Sequence, residues 1–523
     1  MEHSEMIFRW PAKFGTLMNL DSDSVYYFAE AMGWNFDNAA AKLHNYFKRY
    51  IGSGITDLIW DVDGIVPRKD PDGEWKGNRY QRREENGIAV DYAGKHDTTE
   101  AIYRLYFEEG VNPVAIWLQE CWENRIRPWV SFRMNDVHCA NAPTGHSDFF
   151  YLAKRKGWMV GNYHDGNRWY GYALDYSVPE VREHFLSYIA EVTELYDAFG
   201  IELDFQRTLR CFRDLDSKNC KVMTEFLRQV DAIRKKAETI WGHPWRVMVR
   251  LCERPEWAKL YGFDVEAWVR GNLVDAIVPG GYWGSTDSAI PIGEWRALCG
   301  GGIPVFWGIE AHTVNMLHLT NADAVSAYYL SAKASGADGL YQFNLFGAPW
   351  AWGLCSEDAA YAIPTRRFLT AMNDVQVPGW YEYVPHYLPL SVRPGTAVCH
   401  SVTTGKLKTG EDILLHIGVL ADEDGKTPAD AAEALNVKLN GVPCEYLGVT
   451  GESFLEKHYP DTYREQEQDR YPWRIFSWRV RETNRQRLTG ESVTAVFSAA
   501  IPLQIDYFEL ANGEFNEQDG KRR

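Results

Sequence analysis

The chain has 523 residues, a formal net charge of −17 at pH 7, 45% hydrophobic residues, 24% charged residues and 14% aromatics. So acidic a balance argues against nucleic acid and anionic membrane surfaces as partners, since both select for clustered Lys and Arg. No apolar run is long enough to cross a bilayer, and the composition is that of a globular protein with neutral substrates.

At about 100–200 residues per domain, two or three domains are expected. The nine cysteines are scattered, odd in number and without a CxxC pair, which predicts reduced thiols rather than a disulfide framework. The first residues, Met-Glu-His-Ser-Glu-Met, lack the succession of a secretory signal, so the expected location is cytoplasmic. Oligomeric state is unmarked.

From about residue 14 to 370 one unit recurs: a short apolar strand, a polar loop and an amphipathic helix ending near glycine. Strands are predicted over 15–20, 55–61, 127–133, 200–207, 246–251, 275–279, 303–308 and 339–344. Between the third and fourth, Ser177 is a candidate cap, Pro179 suits a first helical turn, and Val181, Phe185, Tyr188, Ile189 and Val192 form the apolar stripe. Asn321 is the expected cap of a later helix through Val325, Tyr328, Tyr329 and Ala332. Eight alternations predict an α/β fold whose parallel sheet closes into a (β/α)8 TIM barrel. An open doubly wound sheet needs a glycine-rich phosphate turn after the first strand, but Asp-Ser-Asp-Ser follows Leu20.

Long insertions follow the second and third strands, over roughly 62–97 and 134–170, and Trp75, Trp158, Trp169 and Tyr170 suit pocket walls rather than disorder. After about residue 373 the helical period gives way to short alternating stretches, as at 412–420 and 493–497. The expected division is therefore a catalytic barrel over 1–372 and a smaller all-β, sandwich-like domain over 373–523. Asn440-Gly441 and Asp424-Gly425 read as hairpin turns, 452–470 as an exposed loop, and the last dozen residues as disordered.

The candidate chemistry gathers at strand ends. In the fourth strand, alternation puts Glu202, Asp204 and Gln206 on one side and Ile201, Leu203 and Phe205 on the other. Acids are costly to bury without a partner or a task. Other strand ends contribute Asp61, Asp63, Arg133, Asn135, Glu253, Tyr282, Trp283, Trp307, Glu310, His312, Tyr341 and Asn344.

Carboxylates dominate this set, and paired carboxylates are what glycosidic bond cleavage needs, one as acid and one as base or nucleophile. The 21 Trp and 29 Tyr supply platforms for sugar rings. No Gly-x-Ser-x-Gly elbow or His-Glu-x-x-His is present, although Asp61 and Asp63 with His96, His138 or His164 could hold a cation. No cofactor is expected.

Asp204 and Glu310 are the first choice of catalytic pair, seen as facing each other across the pocket, with Glu253 as rival to Glu310. Arg207 or Arg133 would keep one carboxyl ionised and Trp307 would keep the other protonated. Arg254 would favour a charged, orienting Glu253, and Glu202 would hold a sugar hydroxyl or an arginine. Arg207, Asp61, Asp63, Arg133, Asn135, Tyr282, Trp283, Trp307, His312, Tyr341 and Asn344 are candidate substrate contacts.

The run Leu174-Asp-Tyr-Ser-Val-Pro-Glu-Val-Arg182, a helix, and then Gly200-Ile-Glu-Leu-Asp204 resembles the bacterial family 10 glycosylhydrolase-like proteins, also called hypothetical glycosyl hydrolase-like. The segments 274–282 and 337–343 resemble that family's sixth- and eighth-strand motifs. The resemblance spans roughly 120–350 and implies a TIM barrel acting on carbohydrate with a functional aspartate at position 204. Glu202 departs from it, standing where the family more often has histidine. Two other classes compete: a catalytically silent carbohydrate-binding barrel and a metal-dependent lyase or deacetylase.

Overall fold

A computed structural model describes residues 10–11, 13–62, 98–137, 148–161, 170–206, 208–281, 286–313, 319–345, 347–354, 356–370, 387–460 and 473–515. Eight strands close a parallel barrel in chain order: β1 (Gly15–Leu20), β2 (Asp57–Asp61), β3 (Arg127–Arg133), β4 (Gly200–Asp204), β5 (Arg246–Cys252), β6 (Ala276–Gly280), β7 (Phe306–Glu310) and β8 (Gly339–Phe343). The expected barrel is therefore the observed one, and the open doubly wound sheet is excluded.

Almost every barrel residue is buried, as expected of strands covered on both faces. Leu17, Ile59, Trp129, Phe199, Met248, Ala276, Val278, Phe306, Tyr341 and Phe343 pack together. Trp10 lies against Trp129, Phe199 and Phe306, with ring centroids 5.3, 5.6 and 5.7 Å away. Its indole N–H donates to Asp57 Oδ1 at 3.2 Å, and Arg127 grips the same carboxylate through Nε and Nη2, each at 2.7 Å. Aromatic rings and a saturated ion pair thus fill the N-terminal end of the barrel. β4 must open with glycine there, because a Cβ at Gly200 would meet the Arg246 carbonyl at 2.5 Å and the Trp129 ring at 2.7 Å.

The helix Pro179–Leu195 buries the predicted stripe. Ser177 does not cap it: Pro179 sets the first turn, which makes Val178 the flanking residue. Asn321 does cap Ala322–Ala334, accepting from the Ala324 N–H at 3.1 Å. The helix Asn219–Trp241 stops at Gly242, whose φ of 75° puts the chain in the left-handed region.

The remaining strands are β9 (Thr365–Thr370), β10 (Leu390–Val392), β11 (Ala397–Thr403), β12 (Asp412–Ala421), β13 (Leu435–Leu439), β14 (Val442–Gly448), β15 (Arg474–Val480), β16 (Ser492–Ala499) and β17 (Leu503–Gly513). They form an antiparallel sheet in the order β10-β17-β12-β15-β14-β13-β16-β11, with β9 also on β17. Its core includes Ile413, Leu415, Ile417, Val437, Phe497 and Ile505.

Asn440 (φ 49°) and Gly441 (φ 77°) make the predicted tight hairpin between β13 and β14. Asp424-Gly425 does not turn a hairpin; it leads into the helix Pro428–Ala434, started by a Thr427/Asp430 capping box. Nor is 452–460 simply loop: a Ser453/Glu456 capping box starts the helix Phe454–His458, with Phe454 and Leu455 buried. The stretch 461–472 and the chain beyond 515 lie outside the described residues.

The chain divides into two compact units, 1–279 with 294–306 and 341–349, and 280–293 with 307–340 and 350–523.

Candidate functional site

The register of β3, β4 and β5 stacks the inward residues in layers. Ser131, Glu202 and Met248 stand side by side, and one step nearer the C-terminal end stand Arg133, Asp204 and Arg250. Two acids on one strand thus meet different neighbours.

Glu202 is completely buried. Its Oε2 accepts from Asn19 Nδ2 on β1 at 3.0 Å and from the Ser131 hydroxyl at 2.5 Å. Burial, and next the charge of Asp204, push its carboxyl up to about 7, against the pull of the Ser131 hydrogen bond and the Arg250 charge. Tyr341, on β8, is also buried and its hydroxyl is raised well above its ordinary value, first by burial and then by the charge of Glu202.

Asp204, 1% exposed, is joined at two points to Arg250, Nε to Oδ1 at 2.9 Å and Nη2 to Oδ2 at 3.1 Å. The Gln206 N–H donates to Oδ1 at 2.9 Å. Such a two-point guanidinium grip fixes the plane of the carboxyl group. Arg250 is 2% exposed, and its guanidinium lies 3.8 Å from the centroid of the Phe343 ring.

Arg133 does not serve Asp204. It is shared by Asp21, Asp61 and Asp136, at 2.7, 3.1 and 3.2 Å, and their charges hold it protonated despite burial. This is a correction to its expected role, and the register explains it: both arginines flank Asp204, but three carboxylates draw Arg133 away. Asp61, a candidate cation ligand, is here the partner of a guanidinium. Among the described residues no group of three or more His, Cys, Asp or Glu could hold a metal ion.

The other expected positions part company. Asn135 ties loops together: its Nδ2 donates to the carbonyls of Leu174 and Arg210, each at 3.1 Å, and its Oδ1 accepts from the Leu174 N–H at 2.8 Å. That occupies the amide expected to meet substrate. Glu253 follows β5, its carbonyl accepting from the Trp295 indole at 2.6 Å, while Arg254 ion-pairs with Glu256 and lies 3.8 Å from Glu294. Asn344 ends β8 in the left-handed region at φ 58°.

In the second unit, Glu310 ends β7 and is buried, its N–H donating to Thr286 Oγ1 at 2.9 Å. The Thr286 hydroxyl donates to the His312 carbonyl at 3.0 Å, and Trp307 is fully buried. Arg207, Asp63, Tyr282, Trp283, His96, His138 and His164 lie outside the described residues, as do Trp75 and Trp169.

The sequence reading passed over Arg250 and Ser131 as site residues. Both sit on quoted strands at positions two removed from other inward residues, so alternation offered them; only the cross-strand register shows which acid each serves.

The chain matches no family model and no curated protein. Among solved structures it is similar to a cycloisomaltooligosaccharide glucanotransferase from Paenibacillus sp., at TM-score 0.36 and 9% identity over 95% of this chain and 57% of that one. It is similar also to a glycoside hydrolase family 18 N-acetylglucosaminidase from Paenibacillus barengoltzii, at TM-score 0.36 and 9% identity over 67% and 99%. A Group IV chitinase from Ostrinia furnacalis gives TM-score 0.33 and 12% identity over 59% and 90%. The chain thus spans little more than half the length of the glucanotransferase. These neighbours act on carbohydrate by their names, but likeness this distant leaves the chemistry of the present chain to its own residues. These neighbours do not show membership of the family 10 glycosylhydrolase-like proteins.

Among the described residues no helix is long and apolar enough to cross a membrane.

Proposed function

We propose that this protein hydrolyses glycosidic bonds at the C-terminal mouth of the barrel, using carboxyl groups of β4. One observation carries the reading: two buried acids two residues apart on one strand have different surroundings. Arg250 holds Asp204 at two points, while burial pushes Glu202 up to about 7. A carboxyl raised in this way can still carry a proton at neutral pH.

In this scheme Asp204, aimed by Arg250, faces the positive charge that develops on the sugar, and Glu202 is the proton-bearing member. Glu253 stands as a further carboxyl, and Asp61, Arg133, Tyr341 and Asn344 as the polar lining. A panel of aryl glycosides, assayed with wild type and with Asp204→Asn, Glu202→Gln, Glu310→Gln and Glu253→Gln, tests it. Loss of turnover in the first two supports the assignment, and unimpaired turnover in Asp204→Asn removes Asp204 from the mechanism.

A second reading has support of its own. Asp204 accepts two guanidinium bonds and a backbone N–H, and both β4 acids are at most 1% exposed, which suits a barrel that binds carbohydrate without cleaving it. Calorimetry on an oligosaccharide panel separates the two, because a binder gives saturating heat and releases no reducing ends.

A further inference from the structure

We propose that Arg250 is a positioning residue for the β4 acids: by gripping Asp204 at two points it fixes the aim of that carboxylate and sets a positive charge beside Glu202. The inference rests on the hydrolase reading above for its kinetic consequences but not for the effect of Arg250 on Glu202.

Three features of the geometry support it. Arg250 is registered directly opposite Asp204, and its Nε and Nη2 meet one carboxylate oxygen each, a planar match that lysine cannot reproduce. The guanidinium is itself immobilised, 2% exposed and laid over Phe343 at 3.8 Å. The competing cation at this level, Arg133 on β3, is committed to Asp21, Asp61 and Asp136.

Among the described residues, Arg250 from β5 and Tyr341 from β8 act electrostatically on the pair, while Arg133 from β3 flanks Asp204 with its charge taken up by Asp21, Asp61 and Asp136. Of these, Arg250 is the cation whose charge opposes the burial of Glu202. Without it Glu202 would lose the cation that opposes its burial, and Asp204 would lose the partner that sets its plane.

The test uses the full chain with Arg250→Lys and Arg250→Gln, folding being followed by circular dichroism. Two readouts are taken: kcat and KM across pH on an aryl glycoside, and the titration of the Glu202 carboxyl by infrared difference against Glu202→Gln, which needs no substrate. Arg250→Lys keeps the charge and loses the fork, so its Glu202 titration stays near wild type and KM is unchanged while kcat falls about 10²-fold, the effect of a small misplacement. Arg250→Gln loses the charge, so the Glu202 titration moves to higher pH and the alkaline limb of kcat moves with it.

Full kcat in Arg250→Lys, or an unmoved Glu202 titration in Arg250→Gln, overturns the proposal. If Arg250→Gln does not fold, the separation of kcat from KM in Arg250→Lys decides alone. A wild type that shows the infrared behaviour but cleaves no glycoside defeats the hydrolase reading and leaves the effect of Arg250 on Glu202 standing.

Discussion

Asp204 and Arg250 occupy opposed positions on adjacent parallel strands and share two hydrogen bonds, at 2.9 and 3.1 Å, with almost no exposure to solvent. Removing one member of such a pair leaves an uncompensated buried charge. Asp204→Ala is therefore expected to lower stability by about 3–5 kcal/mol. Urea unfolding with matched m-values measures it, and a loss within error of zero would mean that solvent reaches Arg250.

Glu202 makes the barrel sensitive to alkali. Its folded pKa, about 7, is raised above the ordinary 4.5, so the folded state holds its proton over a range where the unfolded chain has released it. The associated stability is full below about pH 4.5 and is lost as pH rises through about 7, on the order of 3 kcal/mol in all. Glu202→Gln should flatten this slope, as read from melting temperatures across pH 4–8.

The antiparallel sheet should respond in the opposite sense. His416 is fully buried, its Nδ1 2.8 Å from Ser477 Oγ, and His400 lies 2.6 Å from Thr370 Oγ1 and against Phe508. Burial lowers each from 6.5 to about 4. A depressed base leaves the unfolded state with more protons between those values, so stability is full above about pH 6.5 and lost as pH falls through about 4. Protection factors along β12 and β11, with the intrinsic pH dependence of amide exchange divided out, should fall between pH 6.5 and 4, and less so in His416→Gln.

Gly200→Ala tests the packing at the base of β4. The added methyl faces a backbone carbonyl at 2.5 Å and an indole ring at 2.7 Å, and a carbonyl held in the sheet cannot rotate away. A loss of about 1–3 kcal/mol is expected from overpacking. A melting temperature equal to wild type would show that β4 and β5 can spread there.

The barrel was open to sequence reading because each of its strands is a short apolar run bounded by polar loops, and β1 and β3 begin and end where the pattern places them. β7 was anticipated three residues early, since Ile303-Pro-Val continues the apolar character ahead of the pairing. The acids of β4 were visible for the same reason, alternation along one strand. Arg250 as their partner was not, because pairing across strands is a property of register, and the inward arginines of β3 and β5 are interchangeable by pattern alone. The helix Phe454–His458 was hidden by its length: one turn among charges has no period to detect, and its Ser453/Glu456 cap was the surviving signal.

Trp10 gives the barrel the topology of a cup. Its ring is set among Trp129, Phe199 and Phe306, with Asp57 beside it, so among the described residues aromatic carbon plugs the base. On the proposed function, a sugar meeting the β4 acids would approach from the opposite rim, where the strands end.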